Sequence, residues 1–116
     1  TARDLQNQLK EKGLPWERSK AFDHSALIGK FISKEDFDLD NLNFSLTKNK
    51  VLQQKGNTSD MIFSFDQLIS YISQFFTLKV GDIIFTGTPS GVSKVSENDF
   101  LEGFIEKEKI FDVIIK

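Results

Sequence analysis

The sequence predicts an α+β domain, mainly β with a few helices. Three observations carry that prediction. The apolar runs are short, as in Ile83-Ile84-Phe85, which reads as a buried strand too brief for a helix. Helical spacing of apolar residues is confined to two stretches, near Leu5 and near Leu68. Glycine, proline and asparagine punctuate the chain between the runs.

Thr1 to Lys12 carries Leu5 and Leu9 one turn apart among polar residues, with Gly13 placed to end the helix. Arg3 and Gln6 lie three apart on it and share a face, with Lys10 a turn further on. Residues of these types belong to a solvated face unless something recruits them. In the next turn Pro15 suits the first helical position, and Trp16, the only tryptophan, is expected to anchor the turn on the core. Lys20 precedes Ala21-Phe22, so its stem is either partly buried or snorkels along the surface.

Ala26 to Ile32 reads as a strand. His24, the only histidine, has no Ser/Asp or carboxylate constellation around it in the sequence and reads as structural or exposed. Asp36, Asp38 and Asp40 lack the glycine and distal glutamate of a calcium loop, leaving a solvated connector. Phe44 to Leu52 reads as a β-hairpin turning at Asn49, followed by a polar connector over Gln54–Asp60. Ser64 and Gln67 have capping-box spacing, Phe63 and Leu68 fit a hydrophobic staple, and Leu68, Ile72 and Phe75 or Phe76 form the apolar face of a helix ending near Phe76. A strand starts near Asp82, Glu97-Asn98-Asp99 makes a turn, and two strands near Phe100–Ile105 and Ile110–Ile115 close the chain. Glu106 and Glu108, beside lysines at the tip between them, read as solvated charges rather than a metal-binding pair.

The 116 residues suit one domain or part of one. Thr1-Ala2-Arg3-Asp4 resembles the opening turn of a helix more than a natural terminus, so an upstream segment is expected. The net charge of −2 is mixed in sign along the chain, which argues against nucleic acid or an acidic membrane as partner. The absence of cysteine removes disulfides, thiolate metal sites and a cysteine nucleophile, and is compatible with a cytoplasmic location. No apolar run is long enough to span a membrane.

The central feature is Gly81 to Val92, where the short strand runs into Thr86-Gly87-Thr88-Pro89-Ser90-Gly91. Two readings stand: a tight turn, or a loop whose amides and hydroxyls approach a ligand. Gly87 permits close approach or positive φ, and Pro89 biases Thr88 towards an extended conformation.

Four stretches taken together carry a resemblance: Thr1-Ala2-Arg3-Asp4-Leu5-Gln6; Gly13-Leu14-Pro15-Trp16 with Ser19-Lys20-Ala21-Phe22; Gly56-Asn57-Thr58-Ser59-Asp60-Met61-Ile62-Phe63; and Gly81 to Val92. In this order and spacing they resemble the fumarylacetoacetate hydrolase family over essentially the whole chain, its acylpyruvate-hydrolase branch in particular. The resemblance implies a mixed β-roll, usually dimeric, in which residues 1–116 form the C-terminal part of a single catalytic domain. It further implies one Mg2+ or Mn2+ per active site, held by carboxylates upstream of Thr1 and by none in this chain.

By the same resemblance Lys20 is the catalytic lysine, and Arg3, Gln6, Gly87 and Thr88 bind substrate. The implied substrate is a small 2-oxo or 2,4-dioxo acid. The implied reaction is hydrolysis of an acylpyruvate to pyruvate and a carboxylic acid. The alternatives are decarboxylation or keto–enol tautomerisation of a compound such as oxaloacetate, or a non-catalytic fragment lacking metal ligands.

Overall fold

The four strands of this chain form one antiparallel sheet whose spatial order is β2-β1-β3-β4. The computed structural model describes residues 1–116. In chain order the elements are α1 (Arg3–Glu11), α2 (Glu17–Lys20), β1 (Asn43–Lys48), β2 (Val51–Asn57), α3 (Phe65–Ile72), β3 (Phe100–Ile105) and β4 (Glu108–Ile114), with 3-10 turns at Lys34–Asp36 and Thr58–Asp60. This is the α+β, mainly β class that the short apolar runs predict.

Helix α1 forms where Leu5 and Leu9 set the period, and Gly13, at φ 64°, follows its end. It packs on α2 and buries Leu9 and Gln6, while Ser19 of α2 is fully buried with its hydroxyl donating to the Trp16 carbonyl at 2.6 Å. Pro15 lies one residue before the helix cap rather than at the first helical position, and Trp16 is 46% exposed, so it does not anchor a core within this chain.

The hairpin β1–β2 turns through Asn49 and Lys50, both at positive φ, the combination that matches strand twist in a two-residue loop. Strand β2 continues five residues beyond Leu52 to Asn57, through the stretch expected to be a polar connector. Polar residues suffice there because β2 is the sheet's edge. Its pairing with β1 skips one residue: Leu46 faces Gln54 and Thr47 faces Leu52, leaving Gln53 as the extra residue of a β-bulge. A second bulge leaves Ile110 of β4 unmatched, and its carbonyl accepts from the Lys30 amide at 2.9 Å.

Helix α3 has the capping box that Ser64 and Gln67 encode: the Ser64 hydroxyl accepts from the Gln67 amide at 3.3 Å, and the Gln67 side chain accepts from the Ser64 amide at 2.8 Å. Its regular part ends at Ile72, a turn earlier than the apolar face suggests. Glu106 and Glu108 are not merely solvated. Glu106 accepts from the Asn43 amide at 2.6 Å, and Glu108 pairs with Lys30.

Two expected strands do not form. Neither Ala26–Ile32 nor Asp82–Phe85 enters a ladder. Both are apolar enough to be buried strands, yet Phe31 is 78% and Phe85 67% exposed: the first segment touches β4 only through the Lys30 amide and the close approach of Gly29 to Ile110, and the second makes no backbone pairing. The same openness holds throughout. Only five residues are buried, and the accessible surface of 9442 Å² compares with about 6,400 Å² for a closed monomer of this mass. The radius of gyration, 15.8 Å, exceeds the roughly 13 Å of a compact domain this long.

Candidate active site

The residues singled out by sequence fall into two groups. In the first, the amide of Ala2 donates to the Ser19 carbonyl at 3.0 Å and ties the start of α1 to the end of α2. That contact sets Lys20 near the first turn of α1, where its ammonium donates to the Thr1 hydroxyl at 3.2 Å. Arg3 donates from Nη1 to Gln6 Oε1 at 3.0 Å, and Gln6 is buried. The charged groups of Arg3 and Lys20 are exposed, while the Gln6 amide is buried and bonded to Arg3.

The second group is the loop after Phe85. Gly87 takes φ 104° and Gly91 φ 94°, conformations that favour glycine. A methyl group at Gly87 would meet open space, whereas one at Gly91 would collide with the Gln53 carbonyl. The loop therefore lies directly against the edge strand β2. There Gln54 Nε2 donates to the Thr88 hydroxyl at 2.9 Å and to the carbonyls of Pro89 and Ser90 at 3.1 and 3.4 Å. Gln53 Nε2 donates to the Gly91 carbonyl at 2.8 Å.

Downstream, the chain leaving the loop is fastened at the hairpin tip. Lys48 donates to the Lys94 carbonyl at 3.1 Å, and Asn49 exchanges hydrogen bonds with Asp99 and Phe100. Asp99 accepts from the Ser96 amide and the Asn49 side chain, both at 2.8 Å, with Lys48 at 3.9 Å. The Ser96 bond first, then that of Asn49, hold its carboxyl below the usual 3.8, with desolvation opposing them and the Lys48 charge adding the least.

No hydrogen bond or ion pair joins the helical group to the loop. Two open depressions, one beside Thr58, Met61 and Phe65 and one beside Phe37 and Glu106, include none of the five site residues. His24 is exposed at φ 63° and makes no hydrogen bond, so nothing here recruits it to chemistry. Sequence reasoning missed Gln53 and Gln54. The available signal was a pair of adjacent amides just before Gly56, which carries no chemistry by itself.

The donor set suits an anion. A guanidinium, an ammonium, an amide and a hydroxyl offer protons to carboxylate or enolate oxygens. They do not fit a divalent cation, and nowhere in the chain do three Asp, Glu or His side chains converge.

Residues 1–110 match the family described as Fumarylacetoacetate (FAA) hydrolase C-terminal, and the chain belongs to that family. It is 49% identical over 106 residues to "Oxaloacetate tautomerase FAHD1, mitochondrial" of Bos taurus, a match covering 90% of this chain and 48% of that protein. It is 46% identical over 103 residues to "Oxaloacetate tautomerase YcgM" of Escherichia coli (strain K12), covering 87% of this chain and 47% of the relative. The chain thus spans about half the length of the curated relatives it matches. Among solved structures, fumarylpyruvate hydrolase from Pseudomonas aeruginosa in complex with Mn2+ and pyruvate superposes with a TM-score of 0.88 at 36% identity, over 97% of this chain and 49% of that one. The fold is therefore that of the family, and its members are enzymes.

Proposed function

We propose that the protein containing these residues interconverts the keto and enol forms of oxaloacetate or a close 2-oxo acid. The hydrolytic reading favoured by the sequence becomes the second one, because the curated relatives described above are oxaloacetate tautomerases. The observation that carries the proposal is the Ala2–Ser19 contact, which gathers Arg3, Gln6 and Lys20 at one end of α1 as a set of anion-binding donors.

In this reading residues 1–116 are the C-terminal part of the catalytic domain. Arg3, its guanidinium oriented by the buried Gln6, grips a carboxylate of the substrate. Thr88 and the amides beside Gly87 receive a carboxylate from the other side. Tautomerisation breaks a C3–H bond and forms an O–H bond at C2, so negative charge builds on the 2-oxo oxygen midway. The C3 proton passes to a base or to water, Lys20 as the ammonium stabilises the enolate and gives a proton to that oxygen, and the resulting amine regains a proton from the base or from water. A divalent cation, Mg2+ or Mn2+, belongs to the whole protein in this reading and is held by side chains outside these 116 residues. The apolar surface left open here supports assembly with further protein, including a homodimer.

The second reading, hydrolysis of an acylpyruvate, is favoured by the likeness to the fumarylpyruvate hydrolase bound to pyruvate. It uses the same enolate-stabilising groups. One experiment separates the two. The whole protein is given enol-oxaloacetate, with decay of the enol's ultraviolet absorbance followed, and separately acetylpyruvate, with pyruvate release followed. Accelerated enol decay without cleavage supports tautomerisation, cleavage without accelerated decay supports hydrolysis, and neither activity overturns both.

A further inference from the structure

We infer that Gln54 is a positioning residue that turns the loop at Thr88 into a surface of hydrogen-bond donors. The inference deepens the functional reading above and rests on it for the ligand's identity. It stands on three observations.

The first is the bulge. In a regular strand neighbouring side chains point to opposite faces, so Gln53 and Gln54 could not both serve one loop. With Gln53 as the extra residue, both side-chain amides reach the loop and contact four consecutive residues, from Thr88 to Gly91.

The second is polarity. The carbonyls of Pro89, Ser90 and Gly91 all accept from glutamine amides, so the backbone acceptors in this half of the loop are occupied. Two carbonyl partners also fix which end of the Gln54 amide faces the loop, since only NH₂ can donate to them. By contrast, no backbone N–H from Ile83 to Val95 donates a hydrogen bond within the chain. From Pro89 to Gly91, what the backbone retains for a ligand is the Ser90 and Gly91 N–H donors.

The third is the hydroxyl. A threonine hydroxyl has one proton to give. Gln54 donates to Thr88 Oγ1, and Thr88 donates to nothing in the chain. Its proton is therefore turned away from Gln54 and is available to an acceptor. A carboxylate, which in its ionised form only accepts, is the complement of this surface.

The test uses the whole protein with Gln54→Met, which keeps length and removes the amide, Gln54→Glu, Thr88→Val, and the Gln54→Met/Thr88→Val pair. Pyruvate is the probe, titrated calorimetrically, and oxaloacetate is the substrate. Gln54→Met is expected to weaken pyruvate binding and raise KM about tenfold while kcat changes little, the pattern of lost ground-state binding. Thr88→Val should do the same, and the pair should be no worse than either alone. Gln54→Glu presents a carboxylate to the loop carbonyls and captures the Thr88 proton, so its KM should rise as pH rises through the carboxylate's range, unlike the unsubstituted protein's. Backbone order parameters at Thr88, Ser90 and Gly91 should drop from the rigid value of about 0.85 towards 0.6 in Gln54→Met. Additive effects in the pair, or a pH-independent Gln54→Glu, overturn the inference. Unchanged order parameters overturn the clamp whatever the reaction is. If the unsubstituted protein binds no pyruvate while the order parameters still drop in Gln54→Met, the ligand assignment fails and the clamp stands.

Discussion

The backbone amide of Ala2 and the carbonyl of Ser19 meet at 3.0 Å across seventeen residues of chain, and with the packing of α1 on α2 this bond sets Lys20 near Arg3. With it, the ammonium and the guanidinium lie at the same end of one helix pair.

That arrangement predicts separable losses. In the whole protein, Lys20→Met should lower kcat by about 10²- to 10³-fold, as expected for removal of a group that stabilises developing negative charge. Arg3→Met should act mainly on KM. Steady-state kinetics on oxaloacetate check both, and a Lys20→Met enzyme within a few-fold of the unsubstituted one removes Lys20 from the chemistry.

The two loop glycines should differ. Gly91→Ala meets both a positive φ and the Gln53 carbonyl, whereas Gly87→Ala meets positive φ in open space. Strain of about 1–3 kcal/mol is expected at each from conformation alone, and Gly91→Ala should cost more because the loop must also lift from β2. Denaturant unfolding of both variants measures the difference, and equal losses would mean the loop does not bear on Gln53.

Acid should loosen the fastening at the hairpin tip. The carboxyl of Asp99 titrates below its ordinary value in the folded chain, so its contribution to stability is present above 3.8 and is lost as pH falls through the depressed folded value. Asp99→Asn should flatten the acid limb of the stability curve in that window and leave the neutral region's slope unchanged. Urea midpoints collected from neutral pH down to the acid limb show whether it does.

Ser64→Ala removes the hydroxyl half of the capping box on α3 and should cost about 1 kcal/mol. Thermal or urea unfolding reads the change. A loss near zero would show that packing from elsewhere, and not the cap, holds this helix start.

How far the sequence foretold the structure depends on how local each signal was. The capping box, the Leu5–Leu9 period and the left-handed Asn49 each involve residues within four positions of one another, and all three appear in the structure as read. The apolar runs at Ala26 and Ile83 were read from composition alone. Their composition describes burial in a larger assembly of secondary structure, while strand formation needs a neighbour that these residues do not supply. Trp16 was misread for the same reason. The family resemblance pointed to Arg3, Gln6, Lys20, Gly87 and Thr88. It was silent on Gln54, whose contribution depends on a bulge, and a bulge is a property of two paired strands that neither strand's sequence announces.

The bulge also separates what the sheet needs from what the loop needs. Because Leu46 already faces Gln54 and Thr47 already faces Leu52, a deletion of Gln53 leaves every other pair in β1 and β2 in its present register. The shortened strand is the more regular of the two. Such a deletion is silent to the register of the sheet while freeing the Gly91 end of the loop, so what Gln53 holds in place is the loop and not the pairing.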